Sequence, residues 1–394
     1  MKTILLFIFT TLLGSSVLAQ NSEKVNQIIY NAAESLLNSS SKLSIGGYAQ
    51  IDFNQGYQED QYTNANLDVH RLVLLFAYRF SEKTNFVTEI EMEHVKELYV
   101  EQAFLNHEIT PWLSFRSGLM LVPMGIINEY HEPPTYNGVE RPNLDSKIIP
   151  STWREIGAGF TGRFDEASLK YQLYIMNGFN GYNDGGVFRG SDGYRKGRQK
   201  GAESFLSSPT LAMKIDYYGL PGLKLGISTY NGKSQTSLYN GLDKNDNVAI
   251  VKADSSVIGI SMLGLDARYQ NSGFEARAQF NLANNKNTDE YNTFTGKDLG
   301  SQMLGWYAEA GYNVLENAAT NQRLVPFVRY EKYNTHAKTE ANLQENKAFD
   351  RTEVTIGIGW WLASGAVLKA DYQFFNDALD NNRGQFNMGV GIWF

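Results

Sequence analysis

The sequence predicts an all-β fold, a transmembrane antiparallel β-barrel of about 16 strands that follows a short N-terminal helix. Three observations carry this. From residue 43 onward, apolar residues recur at every second position over segments of about ten residues, the period of a strand with two unlike faces. Aromatic residues lie near many segment ends, where a girdle at the membrane interface needs them. The connections alternate between tight turns and long polar loops, the asymmetry between the two sides of a membrane barrel.

Residues 1–19 read as a secretory signal peptide. Lys2 supplies a positive start, Ile4 to Leu13 an apolar run broken by Thr10 and Thr11, and Val17-Leu18-Ala19 the aliphatic and small residues before the cleavage position. A run of about ten residues is too short to cross roughly 30 Å of hydrocarbon as a helix. No later stretch reaches about 18 apolar residues, so no membrane-spanning helix is predicted. The exported chain is expected to begin at Gln20. Residues 20–42 are expected to hold a periplasmic amphipathic helix: Val25, Ile28, Ile29, Ala32, Ala33, Leu36 and Leu37 share one face, Ser22 caps it, and Ser39, Ser40 and Ser41 end it. Such a helix either plugs or gates something or packs on the rest of the fold, and the second reading is preferred.

The barrel is expected over residues 43–394, with strands at 43–53, 67–80, 84–93, 97–106, 112–121, 154–164, 167–177, 208–218, 222–231, 255–269, 273–283, 302–314, 322–333, 350–362, 365–375 and 385–394. Alternation is clearest where Phe274, Ala276, Ala278, Phe280 and Leu282 interleave with Glu275, Arg277, Gln279 and Asn281. The girdle is expected from Tyr48, Phe53, Tyr78, Phe80, Phe164, Tyr217, Tyr218, Tyr269, Phe274, Tyr333 and Trp393. Connections after even-numbered strands are tight, such as Ser81-Glu82-Lys83, Thr110-Pro111 and Ala363-Ser364; those after odd-numbered strands are mostly long, such as 122–153 and 178–207. With both ends on the tight side, the termini are periplasmic and the long loops extracellular. Phe386, Met388, Val390, Ile392 and Phe394 close the chain as an apolar ladder, which resembles the assembly signal of Gram-negative outer-membrane barrels. A soluble sandwich also alternates, but rarely leaves such a ladder bare at an edge.

Composition excludes several classes. The chain has no Cys among its 394 residues, so it has no disulfide framework, thiolate metal site or cysteine nucleophile. With 35 Lys+Arg against 42 Asp+Glu it carries a net charge of −7, which argues against nucleic acid as a partner. No G-x-S-x-G or H-E-x-x-H occurs, and no catalytic residue, cofactor or metal is assigned. Asp243, Asn245, Asn247 and Asp254 only loosely follow a calcium loop, since its Gly is absent.

The stretch Leu121-Val-Pro-Met-Gly-Ile-Ile-Asn-Glu-Tyr-His-Glu-Pro-Pro-Thr-Tyr-Asn-Gly-Val-Glu140, followed by Arg141-Pro-Asn and by Ile148-Ile-Pro-Ser-Thr-Trp-Arg-Glu-Ile-Gly-Ala-Gly159, resembles the Bacteroidetes branch of the phosphate-selective porin O and P family. Glu89-Ile-Glu-Met-Glu-His and Leu98-Tyr-Val-Glu-Gln-Ala-Phe fit it too. The resemblance implies a sixteen-stranded homotrimeric outer-membrane porin. Phosphate channels of that family use a ladder of arginines and a cluster of lysines, which this sequence does not match residue by residue.

About sixteen strands enclose a water-filled lumen. The inward positions carry nearly equal numbers of basic side chains, among them Arg71, Arg116, Lys214 and Lys369, and acidic ones, with a local acidic excess at Glu89, Glu91 and Glu93. Paired charges solvating the wall are the preferred reading over a selectivity ring. Residues 122–153 are expected to fold inward, because irregular backbone at membrane depth survives only inside a lumen. Glu129, His131, Glu132, Glu140, Arg141, Asp145, Lys147 and Arg154 then line the constriction. His131 is the group there that titrates nearest neutral pH, which makes it the candidate pH gate. The basic run Tyr194-Arg195-Lys196-Gly-Arg198-Gln-Lys200 reads chiefly as a solvated loop, with lipopolysaccharide phosphates or anionic solutes as its alternative partners. The expected function is passive diffusion of small polar or ionic solutes, inorganic anions such as phosphate among them. A barrel enzyme and a sugar-selective channel are the alternatives; His70, His94 and His336 lie near the loop side, where an enzyme site would be built.

Overall fold

The structure is a computed structural model that describes residues 31–58 and 61–394. The expected signal peptide and the expected helix up to residue 30 lie outside the described residues. Among the described residues, sixteen long strands form one antiparallel sheet that closes on itself. They are β1 (Leu43–Gln58), β2 (Asn66–Arg79), β3 (Thr84–Glu93), β4 (Glu97–Thr110), β5 (Leu113–Leu121), β6 (Arg154–Phe164), β7 (Leu169–Met176), β8 (Thr210–Leu220), β9 (Leu223–Lys233), β10 (Gly259–Asn271), β11 (Phe274–Lys286), β12 (Gln302–Tyr312), β13 (Arg323–Lys338), β14 (Asp350–Ala363), β15 (Ala366–Asp377) and β16 (Arg383–Trp393). Each strand pairs with its neighbours in sequence, and β16 returns to β1 with Tyr48 opposite Trp393 and Gln58 opposite Arg383. Closure leaves no strand edge unpaired. Every expected span coincides with a strand; β1 and β13 run furthest beyond expectation, both into the long-loop side.

The two faces of the wall differ as the period demands. On β8, Leu211, Met213, Ile215 and Tyr217 are exposed outside, while Ala212, Lys214 and Asp216 are buried inside. The same parity places Ile227, Leu265, Trp306, Val328, Ile358 and Leu368 on an apolar outer band. Inside, charges are paired: Lys214–Asp266 at 3.4 Å, Arg277–Glu309 at 3.0 Å and Arg329–Glu331 at 2.9 Å. Expected girdle aromatics, among them Tyr48, Tyr333 and Trp393, fall inside instead, Trp393 lying opposite Tyr48 and packing on its apolar cluster. Tyr48 is fully buried with its hydroxyl donating to Glu89 at 2.7 Å, and the Tyr333 hydroxyl donates to Glu353 at 2.6 Å. Nearness to a strand end does not choose a face, whereas parity does: Tyr48 shares its side with Gln50, and Tyr333 with Glu331.

A short helix, α1 (Ala32–Leu37), lies in the lumen near the short-turn side. Asn31 caps it, its side chain accepting from the Glu34 amide at 2.9 Å. Ala32 packs on Tyr48, Val73 and Leu75, so the inner face of β2 is apolar where α1 covers it. Glu34 pairs with Lys170 on β7, and Arg79 donates to the Ser39 carbonyl. On the long-loop side, the lumen is filled by residues 122–153 and 177–209, whose Trp153, Phe179, Phe188 and Tyr194 share one apolar core with Phe104, Tyr174 and Tyr230 of the wall. The segment read as a loose calcium loop contains a helix, α3 (Asn247–Asp254), and its acids are engaged locally: Asp246 caps the helix through the Ala249 amide, and Asp254 accepts from Tyr239. Among the described residues, the remaining α-helices are α2 (Leu144–Lys147) and α4 (Thr288–Thr295).

Candidate functional site

Residues 122–153 leave the wall after β5 and return to it at β6, and the two ends of this excursion are stapled together. The Asn128 amide donates to the carbonyls of Val122 at 2.7 Å and Trp153 at 3.0 Å and accepts from the Trp153 amide at 2.6 Å. Gly125 makes the inward turn at φ +72°; a Cβ there would sit about 3 Å from both Gln279 and Asp145. Trp153 stacks on Phe179 with ring centres 4.5 Å apart and meets Tyr230 edge-on at the same distance.

Between those ends the segment is tied to the wall nearly all the way round. Glu129 accepts from Lys214 of β8 and Gln172 of β7, each at 2.6 Å. Burial opposes the charged form of Glu129, but the ammonium groups of Lys214 and Lys170 outweigh it and hold its carboxyl below the usual range. Gln279 of β11 accepts from the Ile126 amide at 2.6 Å. Lys369 of β15 donates to three carbonyls, those of Pro133 and Tyr136 at 2.6 Å and Gly138 at 2.8 Å. The Val139 amide donates to Asp371 at 2.6 Å, and Asn143 to Glu353 at 2.7 Å. Hydrogen bonds to charged groups contribute about 1.5–3 kcal/mol each, so the set holds the segment as a fixed partition.

The tightest cluster is centred on His131. Its Nε2 lies 3.3 Å from Glu89 of β3 and 3.4 Å from Glu101 of β4, with all three side chains buried. Arg154 reaches the other Glu101 oxygen at 3.4 Å. A β-bulge in β4 makes this possible. The β3–β4 register runs Glu89 opposite Gln102 and then Ile90 opposite Val100, so Glu101 is the extra residue and both it and Gln102 turn inward. Burial alone would push the His131 pKa down; the hydrogen-bonded carboxylates of Glu101 and Glu89 outweigh it and raise the pKa to about 10. His131 is therefore an imidazolium throughout the neutral range, which corrects its reading as the neutral-pH gate.

Asp145 on α2 is a carboxyl of the segment pushed toward the neutral range. It is fully buried, accepts from Gln279 at 2.8 Å and leaves Oδ2 without a hydrogen-bond partner among the described residues. Burial pushes its pKa up to about 7. A carboxyl with a raised folded value favours the closed partition when protonated. That advantage is present at acid pH and is lost as pH climbs from the ordinary value near 4 to about 7. Asp145→Asn keeps the Gln279 contact without the charge. It is expected to leave conductance at pH 5 unchanged and to abolish any rise in conductance between pH 5 and pH 8, read from single-channel current across that range.

The partition separates two chambers that share no lining residue. On the short-turn side lies a cavity of about 620 Å³, lined by Arg163, Lys170, Lys224, Arg268, Arg277 and Arg323 and by the acids Glu275, Glu309 and Glu316. On the long-loop side lies a cavity of about 350 Å³, lined by Arg71, Arg141, Arg154, Arg195, Arg198 and Lys200 and by the acids Glu91, Glu93, Glu97 and Glu140. The basic run read chiefly as solvated thus folds into this mouth. Arg195 and Arg198 donate to the Ser151 carbonyl at 3.0 and 2.8 Å. Burial, then Arg195 and Arg154, push the Arg198 guanidinium down to about 9, and burial with Arg198 also lowers Lys200. A guanidinium keeps its proton, so the penalty stands as an unmet demand for a counter-ion.

The residues singled out in the sequence are distributed as follows. Glu89, Glu129, His131, Glu132 and Arg154 are buried at the partition, with Glu132 accepting from the Ala32 amide of α1 at 2.6 Å. Arg141 donates to the His131 carbonyl at 3.0 Å, and Glu140 accepts from Asn54 at 2.9 Å. Arg71 pairs with Glu91 at 3.4 Å, and Glu93 lines the long-loop mouth. Lys147 lines a separate cavity with Tyr333 and Glu353. Arg116 stands apart, bonded to Asn106 at 3.2 Å and lying over the Phe104 ring. Gln279, Lys214 and Lys369, which grip the partition, were legible only as wall positions, and nothing in the sequence ties them to it.

No family model matches the chain. It is 31% identical over 352 residues to an uncharacterized protein of Aquifex aeolicus, covering 86% of this chain and 78% of that one. Its fold is similar to solved outer-membrane barrels. The outer membrane channel DcaP of Acinetobacter baumannii superposes with a TM-score of 0.57 at 11% identity, covering 89% of this chain and 97% of that one. The anion-selective porin of Comamonas acidovorans gives 0.53 at 11% identity, covering 89% and 99%. OmpT of Vibrio cholerae in its trimer form gives 0.52 at 12% identity, covering 90% and 100%. The fold is that of the outer-membrane porins.

Proposed function

The chain belongs to the same family as the Aquifex aeolicus protein, and from that premise and its divided lumen we propose that it is an outer-membrane porin for passive diffusion of small polar or ionic solutes, favouring anions such as inorganic phosphate. One observation carries the anion preference. Each chamber is lined by six cations against three or four anions, in a chain whose net charge is −7. Guanidinium forks match the oxygens of phosphate in pairs, and the buried mouth cations gain most from such a partner.

The apolar outer band supports insertion in an outer membrane, with the termini and tight turns periplasmic and the long loops meeting lipopolysaccharide outside. A homotrimer is the assembly expected for this fold, by analogy with the trimer form of OmpT. The partition formed by 122–153 is the constriction of the channel. The test is the single-channel current of the purified protein in a planar bilayer under a salt gradient. Ohmic steps in groups of three, a reversal potential on the anion side and block by added phosphate are expected. Absence of conductance from folded protein would overturn the porin reading, and a cation-side reversal potential its anion preference.

A further inference from the structure

On the long-loop rim, outside the partition, two histidines and two aspartates converge from three segments. Asp68 and His70 lie on β2, Asp52 on β1, and His94 in the β3–β4 turn. His94 Nδ1 is 2.5 Å from Asp68 Oδ2, and His70 Nδ1 is 3.9 Å from that same oxygen. His70 Nδ1 is also 3.7 Å from Asp52 Oδ2. The ligand atoms of Asp68, His70 and His94 all lie within 4.8 Å of one another. Asp52 is 3% exposed; Gln50 donates to its Oδ2 at 2.8 Å, and its Oδ1 has no hydrogen-bond partner among the described residues.

Two local distortions build this cluster. The β1–β2 register passes from Gln50 opposite Arg71 to Asp52 opposite Asp68, so β2 carries an extra residue there. The bulge turns His70 to the face that Asp68 shares with Asp52, although Arg71 beside it also points inward. The turn holds His94 at φ +53° and Val95 at φ +60°, with the Lys96 amide donating to the Glu93 carbonyl at 3.1 Å. A two-residue turn of this kind favours Asn-Gly, and a β-branched residue there is strained. Arg71, next to His70 on β2, is already engaged by Glu91 at 3.4 Å.

We propose that Asp68, His70 and His94, with Asp52 as a further carboxylate, form a binding site for a divalent transition metal of the Zn²⁺ class at the mouth of the barrel. Imidazole nitrogens mixed with carboxylate oxygens select zinc-like ions over the all-oxygen ligation of calcium or magnesium. Metal–nitrogen bonds of about 2.0–2.1 Å place tetrahedral ligands roughly 3.3–3.5 Å apart. His70 therefore closes by a fraction of an ångström, and the His94–Asp68 pair opens. The metal takes the place of the proton that now joins His94 Nδ1 to Asp68 Oδ2, leaving His94 as a neutral ring protonated on Nε2. His70 and His94 also line the long-loop cavity, so a bound dication adds positive charge beside Arg71 and Arg141.

The test is calorimetric titration of the untagged, folded chain in detergent with Zn²⁺ alone at pH 7.5. It is independent of channel activity. One ion per chain is expected, with His70→Ala/His94→Ala weakening binding at least tenfold and Asp52→Asn weakening it less, and heat-modifiable gel mobility confirming that each variant is folded. In a bilayer, Zn²⁺ on the long-loop side is expected to move the reversal potential further toward anions in the parent chain only. Absence of saturable Zn²⁺ binding, or equal binding by the folded double variant, would overturn the site.

Discussion

His131→Ala is expected to raise single-channel conductance severalfold and to make the current noisy. In the parent protein the imidazolium sits between Glu89 and Glu101, at 3.3 and 3.4 Å. Without it those carboxylates face each other while buried. Removing one member of a buried charge cluster costs about 3–5 kcal/mol, mostly because the remaining charge is left unpaired. The neighbouring contacts, Tyr48 to Glu89 at 2.7 Å and Arg154 to Glu101 at 3.4 Å, do not replace what is lost. The partition then leaves the wall around residue 131, while the Asn128 staple keeps its ends in place and Lys369 still holds Pro133, Tyr136 and Gly138. The barrel itself is closed by strand pairing and persists, so heat-modifiable mobility is expected to be unchanged. If conductance stayed at the parent level in folded protein, His131 would not be what holds the constriction.

The same cluster fixes a pH dependence. His131 has its folded pKa raised to about 10, from an ordinary value near 6.5. A base raised on folding contributes its full stabilisation below the ordinary value and loses it as pH rises through the folded one. Conductance governed by His131 therefore stays low through the neutral range and climbs only toward pH 10. The Asp145 effect falls between about pH 4 and 7, so the two groups are separable in one titration.

How far the sequence reached follows from what each device depends on. Strand spans depend on parity and turn chemistry, which are local, and β3 and β6 coincide with the expected spans 84–93 and 154–164 end to end. Face assignment held wherever alternation was unbroken, as on β8, and failed where the register slips. Strict alternation from Glu101 puts Ala103 and Leu105 inside, yet the bulge puts Gln102 and Phe104 there. A bulge is a two-strand property that a single segment does not encode. The run Leu72-Val73-Leu74-Leu75-Phe76-Ala77 carried a signal of another kind. Apolar on both faces, it marks a wall strand covered inside as well as outside, and α1 is the cover. The basic run around Arg195 read as solvated because its counterparts, the carbonyls of Ser151 and Thr152, belong to a segment far away in the chain.

Arg195→Glu/Arg198→Glu is expected to move the reversal potential from the anion side to the cation side. The long-loop mouth is lined by six cations and four anions, and the double exchange makes that four against six. Both guanidinium groups are pushed down by burial and by neighbouring arginines, so they sit in a field already short of negative charge, where a change of sign is felt most. Arg195→Gln/Arg198→Gln separates charge from packing. It keeps donors for the Ser151 and Thr152 carbonyls and removes two positive charges, so it is expected to give an intermediate reversal potential with near-parent conductance. Salt supplies a further check. The Debye length is about 10 Å at 0.1 M and about 3 Å at 1 M, so the separation among the three proteins should shrink at high salt if the mouth charges act through the aqueous lumen. A Glu variant that conducts normally yet keeps the parent reversal potential at 0.1 M would place the selectivity elsewhere, with the short-turn chamber around Lys170, Arg268 and Arg277 as the remaining basic filter.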